Sequence, residues 1–307
     1  MTAHALEPDT DSLHGLFSPD LPPALTVDPG DSVRLRTLDA WWSSGPYTGG
    51  PVGERPKVPQ HRAEYGHALT GPIAVRGARP GMVLGIRIDQ LVPDSWGTTA
   101  APGRELNARY GIAETDAVHA WHLDATAMTA RNQHGHTVRL RPFLGVMGMP
   151  PAAPGTHLTF PPRPHGGNLD CKELVAGSTL YLPIPVADAL LSVGDGHAAQ
   201  GDGEICGTAI ECPMKRVDLT IDLLDDWPLT APVASTPAGW ITMGLGNDLD
   251  EATFRALDAM FALLGRLHGL PRADAVLLAS VTVDVRVTQI VNGVVGAHAV
   301  LPWGAIR

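Results

Sequence analysis

Apolar and polar residues alternate over short stretches through most of this chain, and the stretches are separated by glycine or proline. In V-D-L-T-I-D-L, Val217, Leu219, Ile221 and Leu223 share one side while Asp218, Thr220 and Asp222 share the other. That is the period-two pattern of a strand with one wet face. V-R-L-R-T-L from Val33, M-V-L-G-I-R-I from Met82 and T-L-Y-L-P-I-P-V from Thr179 read as strands on the same ground. One segment has helical spacing instead. Asp248 stands three residues before Glu251 as a cap, Phe254, Leu257, Phe261, Leu264 and Leu267 follow on one face, and Gly269 and Pro271 end the run. Beyond it Val281, Val283, Val285 and Val287 alternate with Thr282, Asp284, Arg286 and Thr288, which predicts a further strand.

The fold class expected is therefore mainly β with an α+β portion. A β-sandwich-like body occupies residues 1–225, and a strand-helix-strand segment at 226–307 closes the chain after the D-D-W-P turn. The stretch from Val146 to Pro164, rich in Pro, Gly and Ala, reads as a long loop delivering the residues that follow it.

Composition narrows the function classes. A hydrophobic fraction of 44% over 307 residues is ample for a core. A net charge of −10 with no basic run argues against nucleic acid or an anionic membrane as partner. No stretch approaches the ~20 apolar residues that span a bilayer, the first residues have no apolar leader, and the three cysteines (Cys171, Cys206, Cys212) are too few for a disulfide framework. A cytoplasmic protein is the expectation.

The chemistry concentrates between His165 and Glu211. Asn168 and Asp170, Asp195 and His197, and Asp202 and Glu204 are pairs with one residue between, which in extended backbone point to one face. Glycines 166, 167, 194, 196, 201 and 203 flank them, so the backbone can turn and let the donors converge. The ordinary reading of Asn and Asp beside glycine is turn chemistry. Two same-face pairs in one region favour a site, and mixed oxygen and nitrogen donors suit Zn²⁺ or a similar divalent ion. Asp202 and Glu204 read either as groups orienting those donors or as solvated turn residues.

Glu211 ends the small-residue run I-C-G-T-A-I, where an unpaired carboxylate is costly to bury. It is either a general acid or base of raised pKa or half of an ion pair with Lys172 or Lys215. Cys206 could be a nucleophile beside Glu211 and Lys215, although a Cys next to Ile and Gly is more often a small buried hydrophobe. His61 and His67 in H-R-A-E-Y-G-H read as pocket wall, and His119 and His122 as structural. Gly194, Gly196 and Ala199 match a dinucleotide-binding fingerprint in letters, but Gln200-Gly201-Asp202-Gly203 would break the helix it needs.

Three blocks carry a resemblance: H-G-G-N-L-D, A-G-S-T-L-Y-L-P-I-P-V, and L-S-V-G-D-G-H-A-A-Q-G-D-G-E-I-C-G-T-A-I-E. With them go P-P-A-L-T-V-D-P-G-D-S-V, L-T-G-P-I-A-V-R-G-A-R-P-G-M-V-L, R-P-F-L-G-V-M-G-M and D-V-R-V-T-Q-I-V-N, so the likeness runs through most of the chain. They resemble the acetamidase/formamidase family of amidases. The resemblance implies hydrolysis of short aliphatic amides such as formamide and acetamide, a mainly β fold, self-association to a homodimer or larger homo-oligomer, and a bound divalent metal, zinc before calcium. Asn168, Asp170, Asp195, His197 and Glu211 fall in the family's signature blocks.

On that basis Asn168, Asp170, Asp195 and His197 are expected to hold the ion, Glu211 to move the proton with Glu204 supporting or replacing it, and His165 and Gln200 to position the amide. Two rivals stay open: catalysis by the Cys206 thiol, and a metal-stabilised protein that binds a small molecule without turning it over. The chain departs from the family pattern at Leu169-Asp170-Cys171, where Met, Asp and a β-branched residue are expected, and at W-G-A after the final proline.

Overall fold

The structure is a computed structural model and describes residues 2–101, 108–112 and 117–307. Among them a nine-stranded sheet runs in the order Ala3–Leu6, Ser32–Leu35, Met214–Leu224, Val83–Pro93, Thr179–Pro183, Val233–Thr236, Gly239–Gly246, Val295–Pro302, Asp284–Gln289. A six-stranded sheet places Phe143–Gly148 between Gly166–Asn168 and Leu191–His197, followed by Leu69–Val75 and Leu13–His14, with Leu25–Val27 pairing off this path. A four-stranded sheet of Trp96–Ala101, Ala117–Asp124, Thr129–Asn132 and Thr137–Arg139 joins it at one side. The mainly β expectation holds, and all four early strands form.

Alternation decides which residues meet between the sheets. Val217, Leu219 and Ile221 are fully buried against Leu84, Ile86 and Ile88 of the neighbouring strand, while Asp218 turns outward to Arg34 and Arg216. The same core takes Ile73, Val75, Phe143, Leu144, Met147, Leu191 and Val193 from the six-stranded sheet. The result is a sandwich whose apolar filling is shared by two sheets. The nine-stranded sheet draws strands from both sides of residue 225, so the closing segment extends the body's own sheet.

The expected helix is Leu249–His268. Asp248 accepts from the Glu251 backbone N–H, and Gly269 ends the helix at φ 67° with its N–H on the Gly265 carbonyl. Its phase differs from expectation. Ala252, Ala256, Met260, Leu263 and Leu264 face the sheet, whereas Phe254 is 71% exposed and Leu267 40%. Small residues win that face because the helix lies so close to the sheet that a Cβ on Gly244 would stand 2.0 Å from the Ala252 carbonyl. A second helix, Arg272–Thr282, occupies residues expected as loop and strand, and the strand begins only at Asp284. The loop expected from Val146 begins later as well, because Phe143–Gly148 is a fully buried strand.

Candidate active site

Two neighbouring strands and the loop that follows one of them build the site. Leu191–His197 is buried along its length and carries Asp195 and His197 on one face. Across it lies Phe143–Gly148, where Gly145 accepts from the backbone N–H groups of Leu169 and Asp170 through one carbonyl, at 2.9 and 3.3 Å. Asp170 adopts φ 48° there, which aims its carboxylate back over Gly145. A Cβ on Gly145 would stand 2.3 Å from Asp195 Oδ2, 2.6 Å from Asp170 Oδ1 and 3.0 Å from His197 Cε1, so glycine is needed for these three side chains to crowd together.

Glu211 enters from the seam between sheets. Its backbone exchanges hydrogen bonds of 2.9 Å with Thr98 on the four-stranded side and is bridged to His197 on the other. The Ala209 N–H donates to Glu211 Oε1 at 2.8 Å, which leaves Oε2 turned toward His197 Nε2, 3.0 Å away. Glu204 reaches the same place from a turn at φ 47°. Its expected partner Asp202 does not follow. Gly203 and Glu204 take positive φ, 92° and 47°, rather than extended backbone, and Asp202 meets Lys172 at 3.1 Å instead.

Ligand atoms of Asp170, Asp195 and His197 lie within 4.8 Å of one another, as do those of His197, Glu204 and Glu211. All five residues are buried. Five buried polar atoms here, Asn168 Oδ1, Asp170 Oδ1, His197 Nε2, Glu204 Oε2 and Glu211 Oε2, have no well-aligned hydrogen-bond partner among the described residues, although His197 Nε2 and Glu211 Oε2 face each other at 3.0 Å. A native interior leaves few such atoms, and a group of them around one cavity is what a bound cation satisfies. By this test the donor set fits a divalent ion.

The His197 ring is oriented by Gln200. Gln200 Nε2 donates to the Asp170 carbonyl at 2.9 Å, which turns Oε1 toward His197 Nδ1, also at 2.9 Å. Nδ1 then donates to Gln200, and Nε2 faces Asp195 Oδ1 at 3.3 Å and Glu211 Oε2 at 3.0 Å; burial works against a charged ring, but the two carboxylates prevail and hold His197 well above the usual histidine range. Gln200 is thus a positioning residue rather than a part of the cavity wall.

Burial raises Glu211 to about 7, with the Asp195 charge adding to it and the His197 imidazole opposing. Asp170 is likewise raised to about 7 by burial, against the pull of His197. Glu204 is held well above the usual glutamate range by burial and by the facing Asp170 carboxyl. Burial also works on Asp195, but His197 and its hydrogen bonds prevail and hold it below the usual range.

A cavity of about 140 Å³ opens onto this cluster, walled by Trp41, Trp42, Tyr65 and Phe160 with Lys57 and Thr208. Asn168, Asp170, Asp195, Glu204 and Glu211 face it, and His61 and His67 form part of its wall. His165 does not line it; its Nδ1 meets the Met149 carbonyl at 2.9 Å. Cys206 is also off the wall, its thiol contacts both going to Thr208. Neither lysine pairs with Glu211: Lys172 takes Asp202 and Lys215 is exposed. Asn292 ends the block D-V-R-V-T-Q-I-V-N, which gives it no site role in the sequence. It stands in an N-G turn and donates to Asp170 Oδ2 at 2.5 Å across 122 residues of chain.

Sandwich, seam and buried acid cluster together define a member of a known class. Residues 2–157 and 152–303 match the Acetamidase/Formamidase family, and the chain belongs to it. It is 30% identical over 281 residues to a formamidase of Methylophilus methylotrophus, covering 70% of this chain and 64% of that one. It is 27% identical over 326 residues to an acetamidase of Mycolicibacterium smegmatis, covering 81% and 78%. The chain thus spans somewhat less than two thirds of that formamidase's length. The crystal structure of an acetamidase from Bacillus halodurans superposes with a TM-score of 0.86 at 27% identity, covering 97% of each chain.

Proposed function

We propose that this protein hydrolyses short aliphatic amides, formamide and acetamide among them, to ammonia and a carboxylate at the buried cluster. The observation that carries the reading is the set of unpartnered donor atoms around one cavity in a chain of this family. Asp170, Asp195 and His197, with Asn168 Oδ1, would hold a divalent ion, zinc being favoured by the imidazole and carboxylate mixture. When bound, such an ion supplies Lewis acidity toward the amide carbonyl and toward water.

The chain's own groups do the rest. Glu211, raised toward neutrality, takes a proton from the attacking water at Oε2 and returns it to the departing amine, while the Ala209 N–H holds Oε1 still. Glu204, also raised by burial, supports this as a further carboxyl facing the cavity. Gln200 keeps the His197 ring in register, and the aromatic wall excludes bulk water. The cluster's depth favours this reading over Cys206, whose thiol bonds to Thr208 and lies off the cavity wall. Formation of a homodimer or larger assembly belongs to the same proposal, supported by the exposure of the large apolar residues Leu277, Val281 and Val285 in the closing segment.

Ammonia release from formamide and acetamide, with and without chelator, tests the proposal. Release that chelation abolishes and added zinc restores is expected; no release from a panel of short amides by metal-loaded protein would overturn it.

A further inference from the structure

The turn between strands Asp284–Gln289 and Val295–Pro302 reaches the buried cluster from the far end of the chain. Its residues are I-V-N-G-V, in which Asn292-Gly293 is a turn pair and Gly293 takes φ 75°. Gln289 holds it from inside. That side chain is fully buried; its Oε1 accepts from the N–H groups of Val291 and Asn292 at 2.9 and 3.1 Å, and its Nε2 donates to the Val294 carbonyl at 2.7 Å. One side-chain amide thus ties both ends of the turn together. The backbone on either side of Gln289 is fixed as well. The Gly203 N–H donates to the Thr288 carbonyl at 3.0 Å and the Ile290 N–H donates to the Gly203 carbonyl at 3.1 Å, next to Glu204.

Asn292 is thereby placed in the cavity wall, where its Nδ2 donates to Asp170 Oδ2 at 2.5 Å. This bond assigns the two oxygens of Asp170. Oδ2 is spent on Asn292, whereas Oδ1 has no hydrogen-bond partner and is the oxygen that crowds Gly145 beside Asp195 and His197. A carboxylate fixed in this way offers a cation one oxygen in one place, with no side-chain freedom left to lose on binding.

We propose that Asn292 and Gln289 are positioning residues, which set the affinity of the cluster for a divalent ion by turning Asp170 Oδ1 toward it. Gln289 acts through Asn292, since it does not line the cavity itself. The inference rests on the reading of the cluster as a cation site.

Calorimetric titration of the full chain with zinc chloride tests it, comparing wild type, Asn292→Ala, Gln289→Met and the double variant, with thermal unfolding in chelator followed beside it. Asn292→Ala is expected to weaken zinc binding about 10- to 100-fold, and Gln289→Met about tenfold. The double variant should bind within about threefold of Asn292→Ala, because the two residues act along one route. A merely structural role would lower the unfolding temperature and leave the zinc affinity of the folded chain unmoved. Affinity within about twofold of wild type in either single variant would overturn the role of that residue, and a double variant that loses the product of both effects would overturn the shared route. A wild type that takes up no zinc would overturn the cation reading and this inference with it. Asn292 is only half-buried, so Asn292→Ala decides the matter where Gln289→Met does not fold.

Discussion

At Gly269 the chain turns left-handed to close a helix, and the residue there has no side chain to object. At Asp170, Asp195 and Glu204 it enters the same region of φ, at 48°, 56° and 47°, with acids whose side chains are then buried. The helix end follows the local rules of a stable element, while the site breaks two of them at once. Each non-glycine residue so held costs on the order of 1 kcal/mol or more, and each buried carboxylate adds desolvation. Such cost persists where surrounding structure over-determines it, here the Gly145 carbonyl bonds, the Thr98 bridge and Gln200.

The largest expected effect comes from the crowding at Gly145. Gly145→Ala puts a Cβ among Asp195, Asp170 and His197, and should abolish bound metal and amide turnover while far-ultraviolet dichroism stays that of a β protein. Next is Glu211→Gln, which keeps the shape and removes the proton acceptor; a fall in kcat of about 10²- to 10⁴-fold with metal content retained is expected. Wild-type kcat in that variant would remove Glu211 from the mechanism.

Stability separates the two regions more gently. Met260→Ala, on the buried face of the helix, should cost about 2–5 kcal/mol in urea unfolding, whereas Phe254→Ala, at 71% exposure, should stay within about 0.5 kcal/mol. Asp170→Gly relieves a left-handed aspartate, so in the presence of chelator it should raise stability by about 1 kcal/mol while turnover is lost. A fall in chelated stability would show that Asp170 is supported rather than strained.

A last effect is acid sensitivity away from the site. Burial lowers His14 and His298 from 6.5 to about 4. The unfolded chain therefore binds more protons than the folded one between those values, so stability is full above pH 6.5 and falls as pH drops toward 4. His14→Gln should flatten part of that slope in thermal unfolding followed across this range.

Much of this was legible in the residues, and the reasons differ. Strand Met214–Leu224 declared itself because one face is apolar and the other charged. Asp195 and His197 were legible as a pair because a strand does carry them on one face, despite the positive φ at Asp195. The helix Arg272–Thr282 was hidden by Pro271, which reads as a stop but here begins the next helix, and by valine alternation that overruns the helix end. Phe254 misled because size suggested burial, whereas the close approach at Gly244 admits only small or flexible side chains on that face. Asn292 and Gly145 carry no local signal, since each matters through a partner brought near by tertiary structure.

The central claim is that buried donors are held in unfavourable backbone so that a divalent ion can be bound and used. Elemental analysis of the purified chain beside its Asp195→Asn variant, with ammonia release measured on the same samples, tests it most directly. The account predicts a divalent ion in the wild type, sharply reduced in the variant together with turnover. Equal metal content and equal ammonia release in the two proteins would contradict it.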